Sequence, residues 1–131
     1  MKVLVDRIGA RGDGVALTED GPIYIPDALP GEQVRIGKIK HGRGVTRAEV
    51  RELLEASPAR VTPRCLHYSN CGGCVAQHLS EELYAEWKLE RVERVLLRAG
   101  LKAQVLPVLF VPTGSRRRVR MEFRVVRDET L

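Results

Sequence analysis

Turn-forming residues interrupt the first 56 positions so often that only short strands fit between them. Residues 2 to 5 (Lys-Val-Leu-Val) form a first apolar run, and a glycine-rich turn holding Gly9, Gly12 and Gly14 follows. Extended structure resumes at residues 15 to 17 and stops at the polar turn of residues 18 to 21. Residues 22 to 26 put Ile23 and Ile25 on one face and Tyr24 on the other, the period of two that marks a half-buried strand. The Pro30-Gly31 pair suits a type II turn, because glycine takes positive φ without strain. Residues 33 to 40 alternate again, with Val34 and Ile36 set against Lys38 and Lys40 on opposite edges of the pleat. Residues 45 to 54 make a last strand that ends at Ser57-Pro58. Five short strands at this spacing predict a small closed barrel of the oligonucleotide-binding type, with an SH3-like barrel equally compatible. The fold class is mainly β or α+β. Seven prolines and an aromatic content of 5% agree with a compact β-rich module rather than a helical bundle.

The three cysteines sit within ten positions as Cys65-x5-Cys71-x2-Cys74, with Gly72 and Gly73 between the last two. Thiolates two residues apart can both turn toward one metal, and glycines let the backbone curl and offer N–H groups to sulfur. Structural zinc and an iron–sulfur cubane both need four ligands. His67 and His78 flank the cysteines, so a local Cys3His zinc site is available by counting. Spacing alone does not separate zinc from iron–sulfur, and three reduced, partly buried thiols in a tight loop are the plain alternative. An odd cysteine number argues against a secreted disulfide scaffold. No stretch approaches membrane-spanning length and the start lacks the apolar core of a secretion signal, so the expected location is the cytoplasm.

Residues 80 to 100 carry a helix. Ser80 is the expected N-cap, Glu81 and Glu82 suit the first turn, and Gly100 is the stop. Ala85, Leu89, Val92, Leu96 and Ala99 recur at three- and four-residue steps and form the predicted buried stripe, with Trp87 off it and the helix arginines in solvent. Residues 101 to 110 and 118 to 126 read as strands of a second α/β unit, too few to close a core. The expected organisation is a barrel over 1–56, a cysteine segment over 57–79, and a helix with a partial central domain over 80–131.

Lysine and arginine outnumber aspartate and glutamate by 22 to 17, a mild excess that is unevenly placed. Arg35, Lys38, Lys40, Arg43 and Arg47 follow one another with no acidic residue between them. Arg116, Arg117, Arg118 and Arg120 open a second stretch, in which four arginines within five positions repel one another unless an anionic surface faces them. Both stretches are candidate contacts to RNA phosphate. A solvated edge strand guarded by basic residues accounts equally for the first. The early glycines are turn glycines: no G-x-G-x-x-G and no phosphate-loop lysine accompany them.

Three elements of the chain resemble the S-adenosylmethionine-dependent RNA uracil-C5 methyltransferases that act on bacterial 23S rRNA. Gly9-x2-Gly12-x-Gly14-x-Ala16 followed by Ala28-Leu29-Pro30-Gly31-Glu32-x-Val34 resembles the TRAM domain, an OB-like RNA-gripping barrel. Ser57-Pro58-x-Arg60-Val61-x-Pro63-x-Cys65-x-His67-Tyr68-x2-Cys71-Gly72-Gly73-Cys74-x2-Gln77-His78-Leu79 resembles the family's cluster motif. Lys88, the helix to Gly100 and Arg116 to Arg120 are similar to the start of its central domain. The resemblance implies a [4Fe–4S] cluster on Cys65, Cys71 and Cys74, with a fourth cysteine ligand absent from this chain, since none follows Cys74. It also implies a structured RNA partner, 23S rRNA, with no DNA or membrane partner, and a monomeric protein. The family's catalytic cysteine, proton-abstracting glutamate and S-adenosylmethionine site match no residue here, so the chain by itself is expected to be inactive. The rival reading is a standalone RNA-binding accessory module with a structural zinc site.

Overall fold

A computed structural model describes residues 1–42, 44–71 and 73–110. Arg43, Gly72, Arg116, Arg117, Arg118 and Arg120, together with the strand predicted over 118–126, lie outside the described residues. Among the described residues there are six strands: β1 (Lys2–Leu4), β2 (Arg7–Ile8), β3 (Gly14–Thr18), β4 (Gly21–Ile25), β5 (Gln33–His41) and β6 (Thr46–Glu55). One helical turn, α1 (Tyr68–Cys71), and a long helix, α2 (Glu81–Arg98), follow.

The sheet order is β1-β5-β6-β4-β3-β2, and its two ends are halves of one segment. β1 pairs antiparallel with β5, and β2 pairs antiparallel with β3. Between them the chain bends. The Val5 N–H donates to the Glu32 carbonyl on one side, and the Asp6 N–H donates to the Val15 carbonyl on the other. Counted as one bent strand, β1 and β2 close a five-stranded barrel, as the strand–turn spacing predicts. The extra strand label comes from the bend. β4 and β6 run parallel, whereas the other pairs are antiparallel. That Greek-key connectivity with one parallel pair is the oligonucleotide-binding arrangement, which the sequence spacing had left level with the SH3-like one.

The interior is aliphatic. Val5, Ala16, Ile23, Ile25, Ala28, Val34, Ile36 and Ala48 are buried together. Small side chains fill the places where strands approach closely. A Cβ on Gly14 would lie 2.6 Å from the Ala28 carbonyl oxygen and 2.9 Å from Val5 Cγ1, so β3 admits no side chain there. Gly31 has φ +81, as the predicted Pro-Gly turn requires.

The predicted alternation of β5 holds only to Ile36. Ile36 pairs with Val50 and Ile39 with Ala48, so β5 carries one extra residue between those pairs. This bulge turns Ile39 toward the core instead of leaving it on the outer face. Two further register shifts put the extra residue on β6, and such bulges coil a long hairpin tightly enough to close a small barrel.

α2 begins as its sequence predicts. The Ser80 side chain accepts from the Leu83 N–H, and Gly100 at φ +71 ends the helix. The predicted buried stripe is corrected. Trp87 is the buried residue of α2, while Val92 is 49% exposed and Ala99 is exposed. Trp87, Ile8, Leu29 and Leu79 form a second core that joins barrel, cysteine segment and helix, with Leu83 and Tyr84 packed against it. A large ring with a polar tip prevailed over periodicity because the barrel offers Trp87 both an apolar slot and an acceptor: Nε1 donates to the Gly9 carbonyl at 3.0 Å. Residues 101–110 form no strand among the described residues, where no neighbouring strand accompanies them and Pro107 lacks an N–H to pair.

Replacing Gly14 with alanine is expected to destabilise the chain by about 1–3 kcal/mol through overpacking against a backbone atom. Urea denaturation followed by Trp87 emission measures it, and a midpoint equal to wild type would contradict the close approach.

Candidate nucleic-acid interface and cysteine loop

The cysteine segment is a loop with a paired neck. Arg60 and Leu79 form an antiparallel bridge, the Val61 N–H donates to the His78 carbonyl at 3.0 Å, and the Ser80 N–H donates to the Ala59 carbonyl at 2.8 Å. Everything from residue 62 to 77 is thereby a closed excursion from the barrel. Val75 of this loop rests on Gly12, which has φ +93 and leaves only 3.3 Å for a Cβ. The first barrel loop is thus held from two sides, by Val75 and by Trp87.

Glu32 anchors the neck. Its side chain is fully buried and accepts from Arg60 Nε at 2.6 Å, a second Arg60 nitrogen at 2.8 Å, the Leu29 N–H at 2.9 Å and the Ser57 N–H at 3.3 Å. Burial alone would raise its pKa, but the Arg60 hydrogen bonds and the two backbone donors outweigh it and hold the carboxyl below its ordinary 4.5. Arg60 also donates to the Asp27 carbonyl, at a residue with φ 59.

Beneath the loop, the Tyr68 hydroxyl and His78 Nδ1 lie 2.6 Å apart, in a hydrogen bond whose direction follows the imidazole tautomer. Burial and the Asp27 carboxylate push the Tyr68 pKa up to about 12. His78 is 1% exposed, and burial, aided by the Arg60 charge, lowers its pKa and keeps it neutral. Its Nε2 has no hydrogen-bond partner among the described residues. His78 is therefore built into the floor of the loop, whereas His67 is exposed.

Cys65 and Cys74 are half-buried and Cys71 is exposed. Cys65 is fixed through its backbone, with its N–H on Gln77 Oε1 at 3.1 Å and its carbonyl accepting from Tyr68. Among the described residues, no three histidine, cysteine, aspartate or glutamate side chains come together to hold a metal ion. The donor chemistry nonetheless favours some metals. Residues 57 to 79 contain no aspartate or glutamate, so their strongest donors are thiol and imidazole, a soft set that suits zinc or iron–sulfur better than magnesium or calcium.

The predicted basic ribbon lies on the β5–β6 hairpin. Arg35 pairs with Glu52, Lys40 with Glu49 at 2.8 Å and Arg47 with Asp13 at 3.1 Å, while Lys38 is exposed and enters no ion pair among the described residues. Each of the three paired cations faces a carboxylate from the neighbouring strand or loop, an arrangement that separation along the chain did not reveal. Glu32 with Arg60, Tyr68 with His78, and Trp87 on Gly9 were also missed as partners. Glu32, Arg60, Tyr68 and His78 all stand inside recognisable motifs, but nothing in the sequence says that positions 28 residues apart meet.

Among the described residues no helix is long and apolar enough to cross a membrane. No protein-family model matches the chain. The chain is 47% identical over 121 residues to an RNA methyltransferase of Caulobacter vibrioides, covering 92% of this chain and 28% of that protein. It is 36% identical over 121 residues to a 23S rRNA (uracil(1939)-C(5))-methyltransferase of Photorhabdus laumondii, covering 91% of this chain and 28% of that protein. Among solved structures it is similar to a Pyrococcus abyssi tRNA (uracil-54, C5)-methyltransferase in complex with S-adenosyl-L-homocysteine. That match has a TM-score of 0.54 and 25% identity, and covers 82% of this chain and 23% of that one. The chain thus spans 28% of each of the two methyltransferase relatives and 23% of the solved structure.

Because folding lowers the Glu32 pKa, its stabilisation is complete above the ordinary 4.5 and is lost as pH falls through the lowered value. Glu32→Gln is expected to cost about 3 kcal/mol at neutral pH, by leaving Arg60 half-buried without its charge partner. The difference from wild type should shrink on acidification below pH 4.5. Thermal melts at several pH values test this, and a gap that stays constant down to pH 3 would remove Glu32 as the group responsible.

Proposed function

We propose that this chain, which belongs with the RNA methyltransferases it matches over nine-tenths of its length, is the RNA-gripping part of an S-adenosylmethionine-dependent RNA (uracil-C5)-methyltransferase. The observation that carries this reading is the run of shared sequence through barrel, cysteine loop and helix. The barrel connectivity supports it independently, because a closed five-stranded barrel of this order is a nucleic-acid-binding scaffold. The substrate is proposed to be 23S rRNA, after the rRNA-modifying relative, and the compartment the cytoplasm. Methyl transfer to uracil draws on S-adenosylmethionine, and no residue of this chain is assigned to that cofactor or to catalysis.

Lys38, Lys40 and Arg47 on the hairpin are the proposed phosphate contacts of the barrel, with Arg35 at its far end, and Arg43 is proposed to join them. Arg116, Arg117, Arg118 and Arg120 are proposed to add to them. Cys65, Cys71 and Cys74 are proposed as three ligands of a [4Fe–4S] cluster whose fourth ligand lies elsewhere. The support is their spacing, the soft donor set and the resemblance of the motif. A cluster bound there would brace the loop that rests on Gly12, and its role would be structural.

Deleting the gene and digesting 23S rRNA and tRNA separately to nucleosides tests the function. Loss of 5-methyluridine from the rRNA fraction is expected, as read by mass spectrometry. Unchanged 5-methyluridine in both fractions would reject the activity, and loss from tRNA alone would move the substrate. For the loop, protein purified without oxygen is expected to contain iron and acid-labile sulfide that Cys71→Ser diminishes. Stoichiometric zinc with neither iron nor sulfide would replace the cluster by a zinc site.

A further inference from the structure

We infer that the seam between α2 and the first barrel loop is a second phosphate-binding surface, and that one RNA strand crosses it after leaving the β5–β6 hairpin. The inference rests on the reading that the chain grips RNA. It concerns Arg91, Arg94 and Arg98, which their sequence pattern had placed in bulk solvent.

One face of α2 changes character along its length. Its first half packs through Leu83, Tyr84 and Trp87 onto the barrel. Continuing at three- and four-residue steps, the same face carries Arg91, Arg94, Val95 and Arg98, and these line an open groove against Ile8, Gly9 and Ala10. Three arginines face one carboxylate there, Glu90, which pairs with Arg94. The groove has a volume of about 100 Å³. That is well below the several hundred cubic ångströms of a small-molecule pocket, and suits a single phosphate group on a passing strand.

Two features make the surface more than scattered charge. Arg91 is held: its guanidinium donates to the Ala10 carbonyl and lies 5.9 Å from the centre of the Trp87 ring, and Lys88 Nζ stands 4.5 Å over the same ring. Cations fixed in this way give up less side-chain entropy on binding an anion than free ones do. The groove is also joined to the hairpin ribbon. Arg47 pairs with Asp13 at one end of the first barrel loop, and Arg91 bonds to Ala10 at the other. The two basic surfaces thus meet the same short loop, which places both beside one path for an RNA strand.

The test uses the 131-residue chain, a fluorescently labelled stem-loop RNA and a poly-glutamate peptide, with anisotropy recorded across a salt series. Arg94 and Arg98 are exposed, so the double variant Arg94→Gln, Arg98→Gln should leave the fold intact, as checked by Trp87 emission and melting. It is expected to weaken RNA binding about tenfold and to lower the slope of log affinity against log salt by about 1.5, as for two lost phosphate contacts. The companion variant Lys38→Gln, Lys40→Gln reports on the hairpin alone. Wild-type affinity and slope in the seam variant, with weakened binding in the hairpin variant, would overturn the seam and leave the RNA reading standing. Absence of RNA binding by the wild-type chain would overturn both. Poly-glutamate binding that depends on Arg94 and Arg98, with RNA binding that does not, would reassign the groove to an acidic protein partner and so overturn the inference.

Discussion

Glu32 places a full carboxylate charge among aliphatic side chains, and the chain is organised around keeping that charge satisfied. The Leu29 and Ser57 N–H groups and the Arg60 guanidinium occupy its two oxygens. Each donor comes from a different part of the chain: the turn before β5, the exit from β6 and the neck of the cysteine loop. A buried ion pair of this kind adds little net stability over an apolar replacement, but removing either partner is costly. Its consequence here is positional. The Glu32 carbonyl also accepts from Val5, and Gly31 donates to the Val5 carbonyl, so the same turn that holds the carboxylate fixes the bend that closes the barrel. Glu32 thus registers the neck of the cysteine segment against the barrel.

From that registration the rest of the assembly follows. With Arg60 fixed, the bridge from Arg60 to Leu79 closes the loop neck and delivers Leu79 into the second core beside Leu29 and Ile8. Ser80 then caps α2 one residue later, and the helix direction lets Trp87 reach the Gly9 carbonyl. The first barrel loop is the meeting place. Val75 closes on Gly12, Trp87 on Gly9 and Arg91 on Ala10. In barrels of this type that loop ordinarily helps form the oligonucleotide-binding face. Here its backbone is engaged by the cysteine loop and the helix, so the α2 side chains Trp87 and Arg91 stand directly against it.

Local features of this arrangement were legible in the sequence and non-local ones were not. The barrel strands, the Gly31 turn, the Ser80 cap and the Gly100 stop each depend on a few adjacent residues, and these appear where the pattern puts them. The β5 bulge escaped because Gly37 and Lys38 look like ordinary strand positions, and only pairing with β6 exposes the extra residue. The buried face of α2 was misjudged because periodicity counts apolar residues and takes no account of their size. One indole with a backbone acceptor fixed the helix rotation against a stripe of smaller side chains. The cysteine motif was plain as a motif. The Tyr68–His78 floor beneath it was not, since both residues lie in the string as candidate ligands or bystanders until burial distinguishes them.

The ion pairs along the hairpin bear on how such a surface would meet a polyanion. Lys40 and Glu49 are largely exposed, as are Arg35 and Glu52, and exposed pairs contribute little to stability. A phosphate that displaces either carboxylate therefore forfeits little, while the displaced carboxylate regains full hydration. The pairs hold long side chains close to the strand surface and reduce self-repulsion in the free protein, yet leave the cations available. Arg47 differs, because its partner Asp13 is only 16% exposed and belongs to the loop on which helix and cysteine segment converge. Drawing Arg47 away would expose a more buried carboxylate and disturb that junction. In the proposed RNA-binding reading, the outer hairpin cations thus exchange partners at small cost, and Arg47 is the one whose engagement reaches the rest of the fold.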